Sequence, residues 1–186
     1  MRVEDAVEIF HQLGWNPSKH VDYFAEKTFG NRVVHIGFKL KDFGVYERFE
    51  ATNSLKVSEF TEAVFLIHGK KKNANTHFKV DLRHKVRFQD PEITRKHIEA
   101  ACDKAIEWAM SVDIDQRYEE LCNLDPSTPG AAGVWHLAAL ALKHHTDKLL
   151  TYQKKFETGD RCGFVNFITK DYIDRAVALA ERGASA

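Results

Sequence analysis

The chain has 186 residues, 44% of them hydrophobic and 29% charged, and its 27 basic residues balance its 27 acidic ones. A chain of this length buries about 70% of the surface its unfolded form exposes, so it needs no disulfide or metal staple to fold. Neutrality removes the excess positive charge on which a nucleic-acid coat or an acidic-membrane binder relies.

Three widely spaced cysteines, Cys102, Cys122 and Cys162, form no C-x-x-C pair, which excludes the usual spacing of a zinc site or a redox dithiol. Met1–Asp5 is not a charged lead into an apolar run, so no signal peptide is expected. No apolar stretch approaches the roughly 18 residues of a membrane helix. The expectation is a reduced, cytoplasmic protein without a cofactor.

In chain order, Val3, Ala6, Val7, Phe10 and Leu13 mark one face of a helix over residues 2–13, and Gly14 stands at its C-terminal cap. After Trp15-Asn16-Pro17, Ser18 is placed to cap a short second helix reaching Glu26, with Val21, Phe24 and Ala25 as its apolar positions. Val34, Ile36, Phe38 and Leu40 then alternate in a first strand, Lys41–Gly44 forms a hairpin turn, and a second strand covers 45–52 until Asn53-Ser54 breaks it. The continuous apolar run within 62–68 has the length of a strand buried on both faces, with the end of a short helix as the alternative. Gly69–Thr76 would be the loop of a hairpin leading into the next strand.

That next strand, His77–Gln89, carries the clearest pattern. Phe78, Val80, Leu82, His84, Val86 and Phe88 alternate with Lys79, Asp81, Arg83, Lys85 and Arg87, which predicts one dry face and one wet face. Asp90-Pro91-Glu92 starts a long helix whose stripe runs from Ile93 through Ile98, Ala101, Ala105 and Trp108 to Val112. Helices are also expected over 115–122, 134–145, 147–157 and 169–181, the second of them apolar almost all round and so enclosed by neighbours. Together these elements predict an α+β fold: an antiparallel meander of about four strands covered by a long helix, with N-terminal helices and a C-terminal helical tail. Asp125–Gly130 divides a sheet domain, 1–124, from the tail, 131–186, which is expected to pack on the sheet domain as one compact unit.

Chemistry is harder to find. Ten histidines are present, but none has the spacing of a strong ligand set; His144 and His145 point about 100° apart on a helix. His84, on the inward face of its strand, needs a partner because a buried unpaired polar group costs about 1 to 3 kcal/mol. His35 and His68 could approach it only if the strand order aligned them. No G-x-S-x-G elbow, H-E-x-x-H pair, P-loop or G-x-G-x-x-G fingerprint occurs, so no catalytic or metal residue is assigned. The binding candidates are Lys70, Lys71 and Lys72, with Lys79, Arg83, Lys85 and Arg87 on the wet face beside them. Aromatic residues for stacking bases are missing there, which favours an acidic protein partner over nucleic acid.

A meander followed by Trp135-His136-Leu137-Ala138-Ala139-Leu140-Ala141-Leu142 and Asp171-Tyr172-Ile173-Asp174-Arg175-Ala176 resembles, in architecture, small uncharacterised bacterial proteins of the toxin-immunity or secretion-accessory kind. With the missing catalytic signatures, the neutral charge and the charged sheet face, the expectation is a non-catalytic protein-binding module, to which the resemblance adds an immunity or chaperone-like role. The alternative is a small enzyme with His84 or His35 as acid or base in a pocket between sheet and helices. Nucleic-acid binding through the basic patch ranks third.

Overall fold

A computed structural model describes residues 1–19, 21–69 and 77–183, apart from the side chains of Asp81, Leu82 and Arg83. In chain order the elements are α1 (Val3–Gln12), β1 (Asn16–Lys19), β2 (Tyr23–Phe29), β3 (Arg32–Asp42), β4 (Glu47–Val57), α2 (Ser58–His68), β5 (Lys79–Asp90), α3 (Arg95–Ser111), α4 (Ile114–Cys122), α5 (Ala132–Leu142), α6 (Thr146–Glu157) and α7 (Lys170–Gly183). The fold is α+β. It divides into two compact units, Met1–Ser58 with His77–Val112 and Glu59–Thr76 with Asp113–Ala186. The division differs from the one expected at 125–130, because α2 and α4 group with the C-terminal helices.

The first unit is a five-stranded antiparallel sheet in the order β1-β2-β3-β4-β5, with α1 and α3 on one face. The alternation in β3 puts Val34, Ile36 and Phe38 on that covered face, and register carries it to Phe49, Ala51 and Leu55 of β4. Phe10 of α1 stacks on Phe38 at 4.7 Å and lies 6.5 Å from Phe49, while α3 contributes Ile98, Ala101, Ala105 and Trp108. Burying each of the larger side chains is worth about 1.5 to 3 kcal/mol, so this layer dominates the unit's stability. Arg32 fastens the end of α3 to β3 by donating to the carbonyl oxygens of Ala109 and Val112, the latter at 3.1 Å.

Three expectations fail here, each for a stated reason. The helix expected over 18–26 is the β1–β2 hairpin: Tyr23, Ala25 and Lys27 pair across from Phe38, Ile36 and Val34, and Val21 is 96% exposed instead of facing a core. Asn53-Ser54 does not end its strand, since β4 runs on to Val57 with Leu55 and Val57 buried and the β3 ladder intact. The apolar run near residues 63–67 is the end of helix α2, with Phe60, Ala63, Val64 and Ile67 buried. A helix enclosed by neighbours and a doubly buried strand share this apolar signature. The long helix also begins later than Pro91 suggests. Thr94 takes the extended cap conformation and its N–H donates to His97 Nδ1 at 3.0 Å.

The strand with the clearest pattern is the one most altered by folding. From Thr52 to Ser54 β4 advances two residues, whereas its partners on β5, Lys85 and Val80, are five residues apart. The three extra residues form a bulge. An odd insertion reverses the alternation, so the dry face is not continuous. Val86 and Phe88 share the covered face with Ala51 and Phe49, while Val80 shares the opposite face with Ser54 and is left half-exposed. His84 is exposed rather than packed in the core.

The second unit is all-helical among the described residues. Helix α5 is buried almost all round, as its composition predicts, and packs against α4, α6 and α7. The carboxylate of Glu59 accepts a 2.9 Å hydrogen bond from Tyr118, and Arg175 donates to the Ile67 carbonyl at 2.6 Å, joining α2 to α4 and α7. His136 is fully buried, with Nδ1 2.9 Å from the Leu121 carbonyl and Nε2 3.1 Å from the Tyr152 hydroxyl. It serves the core and not a site on the surface.

Candidate functional site

In the first unit the sheet has one face under α1 and α3, and the opposite face carries the polar residues of each strand. Two neighbouring regions of that face differ in character. Towards β2, the ring of His35 stacks on Phe24 at 5.0 Å and meets His77 edge-on at 5.0 Å, and its Nδ1 lies 3.1 Å from the hydroxyl of Ser54. Glu26 and Lys56 pair alongside at 2.5 Å. Burial holds both imidazoles below the ordinary histidine range. That of His77 falls to about 4, with His35 and Lys56 adding to the effect and Glu26 opposing it. Both rings are therefore neutral at pH 7, and Glu26, the nearest carboxylate, is already engaged. The Ser54 hydroxyl is buried, so the pair forms a packed structural network and not an activated nucleophile.

Towards β5, a groove of about 320 Å³ runs over Gly37 between Asp22, Lys39, Glu50, Thr52, Lys85 and Arg87. The register brings these residues together: Gly37 faces Thr52, which faces Lys85, and Lys39 faces Glu50, which faces Arg87. Gly37 forms the floor because it has no side chain. Its backbone does not require glycine, since φ lies outside the left-handed region and an added Cβ would meet nothing closer than 3.9 Å. Charges are partly matched within the groove, Arg87 with Glu50 at 2.8 Å and Lys39 with Asp22 at 3.3 Å. Lys85 has no carboxylate within ion-pair distance among the described residues. At the same end of the sheet the β3–β4 turn presents Phe43 and Val45, the latter 82% exposed, with Arg48 over the Phe43 ring.

Of the residues expected to form a single basic patch, the structure thus unites Lys85 and Arg87. Lys79 is separated from them by the bulge and shares the register position of inward-facing Leu55. Lys70, Lys71 and Lys72 lie outside the described residues, as does the side chain of Arg83. His68 belongs to the other unit, where its ring meets Tyr172.

The bulge has a second effect, on the covered face. It leaves Asn53 without a ladder partner on β5, and a cleft of about 540 Å³ opens there between β5 and α3. His84 lines the cleft with its ring 5.2 Å from that of Trp108. Among the described residues no three histidine, cysteine or acidic side chains converge as a metal site. Burial pushes the thiol of Cys102 up to about 12 and that of Cys122 to about 11. Burial and Asp160 also raise Cys162, so none of the three is an activated thiolate.

Residues 2–181 match a family described as a family of unknown function, DUF6990. The chain belongs to this family. No curated protein and no solved structure matches it. Family membership assigns no activity to the groove or the cleft. Among the described residues no helix is long and apolar enough to cross a membrane. Sequence reasoning missed both Gly37 and Asn53. The signal for Gly37 was present, as an isolated glycine within an alternating strand marks a bulge or a close approach of another backbone. Asn53 carried no such mark.

Proposed function

We propose that the chain is a non-catalytic protein-binding module of the immunity or chaperone-like accessory kind, acting in the bacterial cytoplasm, and that its partner docks on the groove over Gly37. The observation that carries this reading is Gly37 itself. Glycine inside a strand costs about 0.5 to 1 kcal/mol relative to alanine, and neither backbone conformation nor crowding requires it here. What its absent side chain provides is room for another chain to approach the sheet. Lys85, Lys39 and Arg87 favour an acidic segment, and Asp22 and Glu50 restrict which acidic segments fit. Phe43 and Val45 extend the surface with apolar area at its end.

The test is crosslinked co-purification from the native host of the wild-type chain and of Gly37→Val. Valine suits the strand and fills the groove without touching the covered core. The expected result is a stoichiometric acidic partner captured by the wild type and lost in Gly37→Val, with the variant's melting temperature equal to or above the wild type's. A wild-type monomer with no specific partner, or a partner retained undiminished by Gly37→Val, overturns the proposal.

A further inference from the structure

The cleft between β5 and α3 lies on the other face of the sheet from the groove and stands on a different observation. Asn53 is 1% exposed, lines the cleft, and its Oδ1 has no hydrogen-bond partner among the described residues. Buried polar atoms are almost always paired, so an orphaned amide oxygen on a residue that lines a cavity is an acceptor lacking its donor. The cleft's volume, about 540 Å³, is that of a small-molecule site. One wall is the indole of Trp108 with the His84 ring against it. Lys85 and Lys104 stand on the lining with Glu107, so the cationic side chains outnumber the single carboxylate.

We propose that this cleft binds a small phosphate monoester. Its phosphate sits at the mouth with Lys85 and Lys104, its body lies along Trp108, and a hydroxyl or amino group at its inner end donates to Asn53 Oδ1. A doubly charged head group suits two ammonium groups better than a single carboxylate does. The donor requirement excludes inorganic phosphate as a full occupant, since phosphate bound at the mouth cannot also reach the base. Nucleotides and sugar phosphates both carry such a donor, and the experiment separates them.

The test is calorimetric titration of the intact protein with adenosine 5′-monophosphate, glucose 6-phosphate, adenosine and inorganic phosphate, repeated on Asn53→Leu and Lys104→Ala. The expected result is saturable one-to-one binding of at least one ester. That ester should bind about tenfold or more tightly than phosphate or adenosine, and each variant should weaken it about tenfold, the effect of losing one charge-assisted or buried hydrogen bond. Whichever ester binds identifies the source. Thermal melts of both variants establish that they fold. Absence of saturable binding by either ester overturns the proposal, as does affinity matched by inorganic phosphate or binding unchanged in both folded variants. Lys85 lines the groove as well, but Asn53 and Lys104 line the cleft alone, so the two variants leave the partner-docking proposal to be judged by its own experiment.

Discussion

Replacing Asn53 by leucine should stabilise the unliganded protein, an unusual outcome for a substitution at a buried position. Leucine has the same branched shape as asparagine, so the position is not emptied, and its greater bulk has the adjoining cleft to enter. The substitution removes an amide oxygen that is buried without a hydrogen-bond partner, a state that costs about 1 to 3 kcal/mol. It also places apolar atoms beside Trp108 and Val86 on a face whose other members, Phe49, Ala51 and Leu55, are apolar. The expected gain is about 1 to 2 kcal/mol. For a chain of this size, each kcal/mol moves the melting temperature by about 2 to 4 °C. Urea titration at pH 7 should show a higher midpoint at unchanged slope. Asn53→Ala, which leaves the space unfilled, should gain less. Adding the phosphate ester should close most of that gap, because a ligand at 100 times its wild-type dissociation constant stabilises the wild type by about 2.7 kcal/mol and a variant that binds it tenfold more weakly by about 1.4 kcal/mol. A loss of more than about 1 kcal/mol in Asn53→Leu refutes the reasoning, since it means that the amide is satisfied in the native state.

Two further outcomes concern the histidines. Since the folded-state pKa of His77 lies near 4, below its unfolded value, the unfolded chain binds the extra proton between about pH 6.5 and 4. Stability contributed by neutral His77 is therefore complete above pH 6.5 and is lost as pH falls through that window. His77→Phe should flatten the acid side of the melting-temperature profile between pH 7 and 4.5, and an unchanged profile counts against the burial of this ring. His136→Ala should destabilise the helical unit by about 2 to 4 kcal/mol, measured by denaturant titration, through a cavity and the loss of two buried hydrogen bonds.

The sequence made the α+β class legible through period: two-residue alternation in β3 and the wide apolar circumference of α5 both survive in the structure with little change. It misled where one pattern serves two conformations. The apolar run ending α2 fits an enclosed helix as well as a doubly buried strand. Val21, Phe24 and Ala25 have helical spacing, yet Phe24 and Ala25 fall on opposite faces of β2. In β5 the alternation runs unbroken in sequence through a bulge that reverses it in space, so Val80 lies on the face opposite Val86 and Lys79 is parted from Lys85, while His84 stays on the covered side but is exposed in the cleft. Both candidate sites depend on such register facts. Asn53 meets the cleft only because β5 slips by three residues, and it joins Trp108 across 55 positions of chain that no local pattern connects.

The same slip bears on how the protein behaves at high concentration. In the first unit β5 is an edge strand, and an edge that stays straight and regular offers its free backbone groups to any other chain in an extended conformation. Three extra residues interrupt that template near its middle, and Lys85 and Arg87 add exposed charge beyond it. The irregularity that opens a cleft on one side of the sheet thereby also guards its border against self-propagating pairing. Excising the three residues would close the cleft and, by straightening the edge, favour fibrous association.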